Sequence, residues 1–262
     1  MKFSETLNKI RNKSPLVHNI TNYVVMNTTA NALLSIGASP VMAHSKNEVE
    51  DIVSISSSLV LNMGTLSEKW VESMILAGIK GKSLNIPIVF DPVGIGASKY
   101  RTETALKIIN EVNPNVIRGN ASEILALSNS SLKTKGVDST ADSSDALDSA
   151  INLSKKYGNT IIVSGKVDFI VTNDVISKVN NGCHLMANVT GMGCTSTSIV
   201  GACIAVEKDT HLAATSAMIF MGISGEISEE ISNGPGSFQS NFLDSLYQID
   251  SNKIQSRIKI DE

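Results

Sequence analysis

A glycine-rich turn followed by a long uncharged segment is the part of the sequence best suited to chemistry. The turn covers residues 190–194, TGMGC, and no charged residue follows it until Glu207. We expect a buried helix to begin near Cys194, because the segment has helical length and small residues suited to close packing. The N–H groups and the positive dipole at the start of such a helix form an anion site. The residues of this predicted anion hole are Gly191, Met192, Gly193 and Cys194.

Cys194 is the reactive group of that turn. A thiol at a helix N-terminus can ionise well below its ordinary pKa, so the position predicts a thiolate or a site for a developing oxyanion. The alternative is a tight turn before a core helix, with a cysteine that serves only in packing.

Two carboxylates and one arginine follow predicted strands elsewhere in the chain. Asp91 and Glu123 can together hold Mg²⁺, through water because this ion gives up its hydration reluctantly. Arg118 can then face phosphate oxygens. The alternative for Asp91 is an Asx-type turn before Pro92. For Glu123 the alternative is a capping box, with Asn120 as the N-cap residue.

Predicted strands alternate with helices of 10–17 residues along the chain. This alternation predicts an α/β fold with a mostly parallel central sheet and helices on both faces. Ligands bind beyond the carboxyl ends of the strands in such sheets. Polar residues stand at or near the ends of five predicted strands, which predicts one shared functional edge; they are Asn19, Asn62, Asp91, Arg118 and Ser164.

Other segments give further structural expectations. Residues 38–43 predict a short buried strand, and residues 166–185 predict a pair of edge strands that turn at Asn173. Residues 233–237 predict a turn between two helices that cover residues 211–232 and 238–249. The most polar segment, 128–144, predicts a mobile surface loop or, alternatively, a partly ordered lid.

The composition bounds the class of protein. The 262 residues suffice for a single domain over residues 1–262, with 42% hydrophobic and 18% charged residues. A net charge of −3 argues against a general binder of nucleic acid or membrane surfaces. The three cysteines have neither disulfide nor zinc spacing, and none of the four histidines has metal-ligand spacing. With no signal segment and no membrane-spanning run, we expect a soluble cytoplasmic protein.

The chain has no P-loop, and no GxGxxG follows the first predicted strand, which argues against a dinucleotide site. Six motifs in matching order instead closely resemble hydroxyethylthiazole kinase, and the resemblance extends from residue 14 to residue 238. This thiamine-salvage family belongs to the ribokinase-like superfamily of three-layer sandwiches. The motifs are Asn19-Ile20-Thr21-Asn22, Ser39-Pro40-Val41-Met42, Asn62-Met63-Gly64-Thr65-Leu66, Asp91-Pro92-Val93-Gly94, Ile117-Arg118-Gly119-Asn120 and Val189-Thr190-Gly191-Met192-Gly193-Cys194.

The resemblance implies an activity and a set of site residues. ATP, with Mg²⁺, would phosphorylate the primary alcohol of 4-methyl-5-(2-hydroxyethyl)thiazole, in a homotrimer with its sites at the subunit interfaces. The residues implied are Asn22, Met42 and Gly191 for the thiazole, Arg118 and Ser164 for ATP, Asp91 and Glu123 for Mg²⁺, and Cys194 at the catalytic position.

Three departures from the family pattern bear on the site. Met192 brings a larger side chain into the glycine turn, and Thr195-Ser196 replace a commoner apolar pair after the cysteine. Ser164 replaces a frequent threonine and keeps the hydroxyl. Three other functions stay open at this point. They are a hydroxymethylpyrimidine kinase of the same superfamily, an acyl-transfer enzyme with Cys194 as its nucleophile, and a non-catalytic binding module of the same fold.

Overall fold

The structure is a computed structural model that describes residues 2–129 and 142–261. The strands in this part of the chain are β1 (Leu16–Ile20), β2 (Ser39–Val41), β3 (Ser58–Asn62), β4 (Ile88–Asp91), β5 (Val116–Asn120), β6 (Thr160–Ser164), β7 (Asp168–Thr172), β8 (Val175–Val179) and β9 (Ile260–Asp261). They form one sheet in the order β2-β1-β3-β4-β5-β6-β7-β8-β9. Strands β1 to β6 run parallel, and β7, β8 and β9 each pair antiparallel with the preceding strand of that order.

Helices cover both faces of the sheet, which confirms the predicted α/β class. The helices described are α1 (Lys2–Lys13), α2 (Met26–Ile36), α3 (Val49–Ile55), α4 (Glu68–Ser83), α5 (Lys99–Val112), α6 (Ala121–Ser128), α7 (Leu147–Tyr157), α8 (Met192–Ile204), α9 (Thr210–Glu230), α10 (Pro235–Gln248) and α11 (Ser251–Arg257). One hydrophobic core joins the sheet to α1, α2 and α8 to α11, and a second joins it to α3 to α7. Among the helices described, none has the length and hydropathy needed to cross a bilayer.

The parallel strands bring the polar strand ends to one edge, as the sequence predicts. Asn62 at the end of β3 lies opposite Asp91 at the end of β4. In the same way, Asn120 at the end of β5 lies opposite Ser164 at the end of β6. The register of the sheet therefore places these side chains beside one another, on strands whose residues are mostly apolar and buried.

Some expected boundaries need correction. The hairpin of β7 and β8 turns at Asn173 as predicted, but β8 is not an edge strand, because β9 pairs with its outer side. Strand β2 is an edge strand and is only half-buried, whereas the sequence predicts a buried one. Helix α10 begins at Pro235, inside the expected turn, since proline is well suited to the first helical position. Helix α8 begins at Met192, two residues before Cys194.

The polar segment 128–144 lies partly outside the described residues. Helix α6 ends at Ser128, and a 3₁₀ helix at Ser143–Ala146 precedes α7. Residues 130–141, on which the loop and lid hypotheses depend, are outside the description.

Helix α8 packs against the sheet at a distance that requires a small residue at position 201. An ideal Cβ on Gly201 would lie 2.5 Å from Val60 Cγ2 and 3.2 Å from Val17 Cγ1. We expect Gly201→Ala to lower the free energy of unfolding, since overpacking a core costs about 1–3 kcal/mol. The gain in helix propensity on replacing glycine is smaller, at most about 1 kcal/mol.

Gly236 on α10 is the matched control, because an ideal Cβ there has no heavy atom within 4 Å from any described residue beyond its own chain neighbours and nearby helix backbone. Denaturant unfolding of Gly201→Ala and Gly236→Ala should therefore show a loss of stability in the first variant alone. Equal stability of the two variants would contradict the close contact between α8 and the sheet.

Candidate active site

The N-terminus of α8 opens at the carboxyl edge of the sheet. Its N-cap residue, Gly191, has φ +84°, a left-handed conformation that suits glycine, and an ideal Cβ there would lie 2.5 Å from Val25 Cγ1. The N-cap forms no side-chain hydrogen bond with the helix. The first N–H groups of α8 therefore face the edge without a side-chain cap, which is the arrangement that binds anions.

A chain of hydrogen bonds connects Cys194 to Asp91. The Nδ2 atom of Asn22 donates to Asn62 Oδ1 at 2.8 Å and lies 3.4 Å from the Sγ atom of Cys194. Asn62 in turn donates from Nδ2 to Asp91 Oδ2 at 3.0 Å. Thr197, one turn beyond Cys194 on α8, donates to the same oxygen at 2.7 Å. Residues from β3, β4, α8 and the loop after β1 thus form one buried polar network.

Arg118 lies beneath the glycine turn. Its Nη2 donates to Ser164 Oγ at 2.5 Å, and its Nη1 is 3.9 Å from Asp91 Oδ2. An ideal Cβ on Gly193 would lie 2.6 Å from Nη1, so only glycine allows the turn and the guanidinium to approach this closely. The Nε atom of Arg118 is buried and has no hydrogen-bond partner among the described residues. The guanidinium thus keeps donors for an anionic ligand beside the N-terminus of α8.

Glu123 joins two loops of the same edge. Its Oε1 accepts from Gly94 N at 2.8 Å, and its Oε2 accepts from Asn120 N at 2.8 Å. The side chain of Asn120 accepts from Glu123 N at 2.9 Å, which completes the capping box of α6. The local alternative for Glu123 is therefore confirmed. The same contacts also fix its carboxylate against the loop that follows Asp91.

The carboxyls of Asp91 and Glu123 are both buried, and the charge of Asp91 acts on Glu123. Burial raises the pKa of Asp91, and the neighbouring Arg118, Thr197 and Asn62 oppose the rise. Burial also raises the pKa of Glu123, and the charge of Asp91 adds to that effect. A positive ion beside the two carboxyls would favour their ionised forms and lower both pKa values.

The donor set fits a magnesium ion. The Oδ1 atom of Asp91 is buried without a hydrogen-bond partner among the described residues, and carboxylate oxygens are the ligands that Mg²⁺ prefers. In the described part of the chain, no group of three or more histidine, cysteine or acidic residues is placed to hold a metal. Two carboxylates are compatible with Mg²⁺, because this ion keeps several waters and takes further ligands from substrate phosphates.

The state of Cys194 differs from the expectation of a thiolate. Burial raises the pKa of its thiol to about 12, and the charge of Asp91 acts in the same direction. Desolvation and the nearby carboxylate outweigh the stabilisation that a helix N-terminus gives to an anion. The thiol is therefore neutral near pH 7, which suits a polar positioning group better than a nucleophile.

Not all of the residues singled out from the sequence lie in this network. Met42 follows β2 at the same edge and is half-buried. Met192 is 8% exposed and packs into the core on the α8 face, so its side chain does not fill the glycine turn. His18 is fully buried in β1, with Nε2 2.7 Å from the carbonyl oxygen of Ala43. His211 lies between Thr172 and Ser177 at the opposite end of the sheet.

The site contains residues that the sequence analysis did not assign to it. Asn62 was placed on the shared edge and in a family motif but given no role, and its amide bridges Asn22 and Asp91. Thr197 lies three residues after Cys194, a spacing that places both on one face of a helix. Arg101 on α5 donates to the backbone oxygens of Met63, Gly64 and Val93, and so ties the loops after β3 and β4 together. An arginine three residues after an N-cap serine gives no sequence signal for that role.

The geometry of this edge can be compared with known proteins. A profile described as the Hydroxyethylthiazole kinase family matches residues 7–252, which is nearly the whole chain. The chain belongs to this family. It is 52% identical over 252 residues to the hydroxyethylthiazole kinase of Syntrophus aciditrophicus, covering 96% of this chain and 93% of that relative.

Solved structures agree with the family assignment. The hydroxyethylthiazole kinase protein from Pyrococcus horikoshii is 39% identical and superposes with a TM-score of 0.92, covering 100% of this chain and 99% of that one. A pyridoxal kinase from Staphylococcus aureus in complex with AMP-PCP is 17% identical, with a TM-score of 0.64 over 81% of this chain and 88% of that one. The latter likeness shows the fold alone. Together they confirm the expected ribokinase-like architecture of this family member.

Proposed function

We propose that this chain transfers the γ-phosphoryl group of ATP to the primary alcohol of 4-methyl-5-(2-hydroxyethyl)thiazole, as in thiamine salvage. The observation that carries the proposal is the position of Cys194. Its thiol lies at the start of α8, between the anion site of the glycine turn and the network that leads to Asp91. Membership of the hydroxyethylthiazole kinase family supports this assignment.

The phosphate-binding half of the site is proposed around Arg118. Phosphoryl transfer needs positioning and neutralisation of the charge on the transferring group. The N–H groups of residues 191–194 and the guanidinium of Arg118 supply fixed positive potential there, and Ser164 holds the guanidinium in place. We place the ATP phosphates against Arg118 and Ser164, and Mg²⁺ beside Asp91 and Glu123, where it would neutralise phosphate charge.

The acceptor half is proposed on the other side of Cys194. We place the thiazole ring against Met42 and Gly191, with Asn22 in contact both with the acceptor and with Cys194. A neutral thiol cannot take the alcohol proton early in the reaction, so we assign Cys194 to positioning the hydroxyl group. This assignment is compatible with a loose transition state, in which little proton transfer is needed before the phosphoryl group leaves ATP.

We further propose that residues 1–262 act as one kinase domain in a cytoplasmic homotrimer with its sites at the subunit interfaces. Apolar side chains beside the acceptor half support this assembly. Tyr23 is 65% exposed, Val24 is 61% exposed, and Leu34 on α2 is 58% exposed. A second subunit that covered them would remove apolar surface from water and close the acceptor half of the site.

A substrate panel tests the proposed function. ATP consumption by the purified protein should be measured with hydroxyethylthiazole, hydroxymethylpyrimidine and pyridoxal as acceptors. We expect the highest kcat/KM with hydroxyethylthiazole. A higher value with either of the other alcohols, or ATP binding without any transfer, would overturn the assignment.

Replacing Glu123 with glutamine should raise the Mg²⁺ concentration that gives half-maximal activity. Loss of a group that holds the ion through its bound water commonly weakens metal affinity about 10- to 100-fold. Glutamine can still complete the capping box through its amide oxygen but cannot also accept the bond from Gly94 N, so we expect some loss of stability and little change in the KM for the thiazole.

Glu103→Gln is the matched control for that experiment. Glu103 is an exposed carboxylate on α5, paired only loosely with Lys99 at 3.7 Å. Its replacement should leave the Mg²⁺ titration unchanged. If Glu123→Gln also left the titration unchanged, Glu123 would have a capping role alone.

A further inference from the structure

Trp70, the chain's single tryptophan, lies between the two loops that carry the proposed thiazole-binding residues. It belongs to the first turn of α4 and is 5% exposed. Its Nε1–H donates to the carbonyl oxygen of Thr21 at 2.9 Å. This bond fixes the backbone one residue before Asn22, in the loop that follows β1.

The Trp70 ring contacts aromatic rings from two different loops. The ring of Tyr23, the residue after Asn22, lies at a centroid distance of 4.7 Å and a tilt of 56°. The ring of His44, two residues after Met42, is stacked on Trp70 at 4.1 Å and 17°. Such aromatic contacts are geometrically specific, so the position of Trp70 sets the position of both neighbours.

Further hydrogen bonds hold the same two loops. Tyr23 N donates to Thr65 Oγ1 at 3.1 Å, which ties the loop after β1 to the segment before α4. On the other side, His18 Nε2 lies 2.7 Å from the carbonyl oxygen of Ala43, the residue between Met42 and His44. Each loop is therefore anchored to the sheet or to α4, and Trp70 contacts both loops.

We propose that Trp70 is a positioning residue for the alcohol acceptor, acting through Tyr23 and His44 on the spacing between Asn22 and Met42. This inference rests on the proposed placement of the thiazole at Asn22 and Met42. Trp70 sets the width of the acceptor subsite and therefore affects the binding of the thiazole and not that of ATP, whose proposed contacts lie at Arg118 and Ser164.

Variants of the aromatic contacts should separate the KM values of the two substrates. His44→Ala removes the exposed partner of the stack, and Trp70→Phe keeps a ring but loses the Nε1–H bond to Thr21. Each variant should raise the KM for hydroxyethylthiazole and leave the KM for ATP unchanged. A shift of the loops by about 1 Å should raise the KM for the thiazole about 10- to 100-fold. Tyr247→Ala, which removes a 71% exposed ring on α10, is the matched control and should change neither.

The fluorescence of Trp70 gives a second readout that a purely structural role would not produce. Addition of hydroxyethylthiazole without ATP should cause a saturable change in tryptophan emission in the unmodified protein and in Tyr247→Ala. The same titration of His44→Ala should saturate at a higher thiazole concentration. Trp70→Phe, which lacks the fluorophore, serves as the blank.

Asn22→Ala and Met42→Ala distinguish failure of this inference from failure of the proposed subsite. If both raise the KM for the thiazole while His44→Ala and Trp70→Phe leave it unchanged, the role of Trp70 is overturned alone. If neither raises it, the acceptor binds elsewhere and both proposals fall. An equal rise in the KM values for ATP and the thiazole in the aromatic variants would indicate a general structural role and would also overturn the inference.

Discussion

Arg118→Ala should lower kcat/KM for ATP by about 10²–10³-fold, the effect of removing a fixed donor at a site of developing negative charge. The guanidinium lies next to the N-terminus of α8 and has a buried Nε without a hydrogen-bond partner among the described residues. Alanine would remove all of its donors while leaving Asp91 bonded to Asn62 and Thr197. Steady-state kinetics with varied ATP should show both a higher KM and a lower kcat.

Two comparisons make the Arg118 experiment specific. Arg118→Lys keeps the charge but loses the planar fork of donors, so it should recover only part of the activity. Arg257→Ala removes an exposed ion pair with Glu230 on the surface and should leave the kinetics unchanged. Unchanged kcat and KM in Arg118→Ala would remove Arg118 from the phosphate site.

Cys194→Ala should slow turnover without abolishing it. General-base help is worth about 10²–10⁴-fold, and a thiol whose pKa is about 12 supplies little of it at neutral pH. We therefore expect the loss of kcat to fall at or below the lower end of that range. The anion site formed by the backbone of residues 191–194 and Arg118 remains in this variant.

Cys194→Asp should retain or increase activity, and its rate should rise with pH. A carboxylate is a better proton acceptor than a neutral thiol and is favoured at a helix N-terminus. Burial and the charge of Asp91, which raise the pKa of Cys194, should also raise the pKa of an aspartate there. Because a raised pKa delays ionisation, the active carboxylate form should accumulate only as the pH rises through that value.

The kcat of both variants against pH is the measurement for Cys194. Cys183→Ala, which replaces a half-buried thiol outside the site, is the control and should keep the activity of the unmodified protein. A covalent mechanism through Cys194 requires both site variants to be inactive. If Cys194→Asp folds but is inactive, a proton acceptor at position 194 does not support the reaction.

The common functional edge could be predicted from the sequence because it depends on local patterns. Polar residues stand at or near the ends of five apolar runs, and parallel strands carry their ends to the same edge. Asp91 and Ser164 are found there as expected. The capping box of Glu123 could also be predicted, because Asn120 and Glu123 stand three residues apart at the start of a helix.

The ionisation of Cys194 could not be predicted in this way. The helix N-terminus is a local feature and favours the anion, but the burial of the thiol and its nearness to Asp91 arise from residues about one hundred positions apart. The bridging amide of Asn62 and the ring of Trp70 also depend on contacts between distant segments. Strand β9 pairs with β8 across about eighty residues, which explains why the sequence predicts the wrong edge.

Direct transfer of the phosphoryl group at the N-terminus of α8 is best tested with ATP labelled in its γ-phosphate. The unmodified protein should be mixed with labelled ATP and hydroxyethylthiazole and quenched within a single turnover, and the label in the thiazole phosphate and on the protein counted. The proposed mechanism predicts that the label appears in the thiazole phosphate at the rate at which it leaves ATP, with none bound to the protein. Label that first accumulates on Cys194 and then passes to the thiazole would contradict direct transfer, as would a failure of the thiazole to acquire any label.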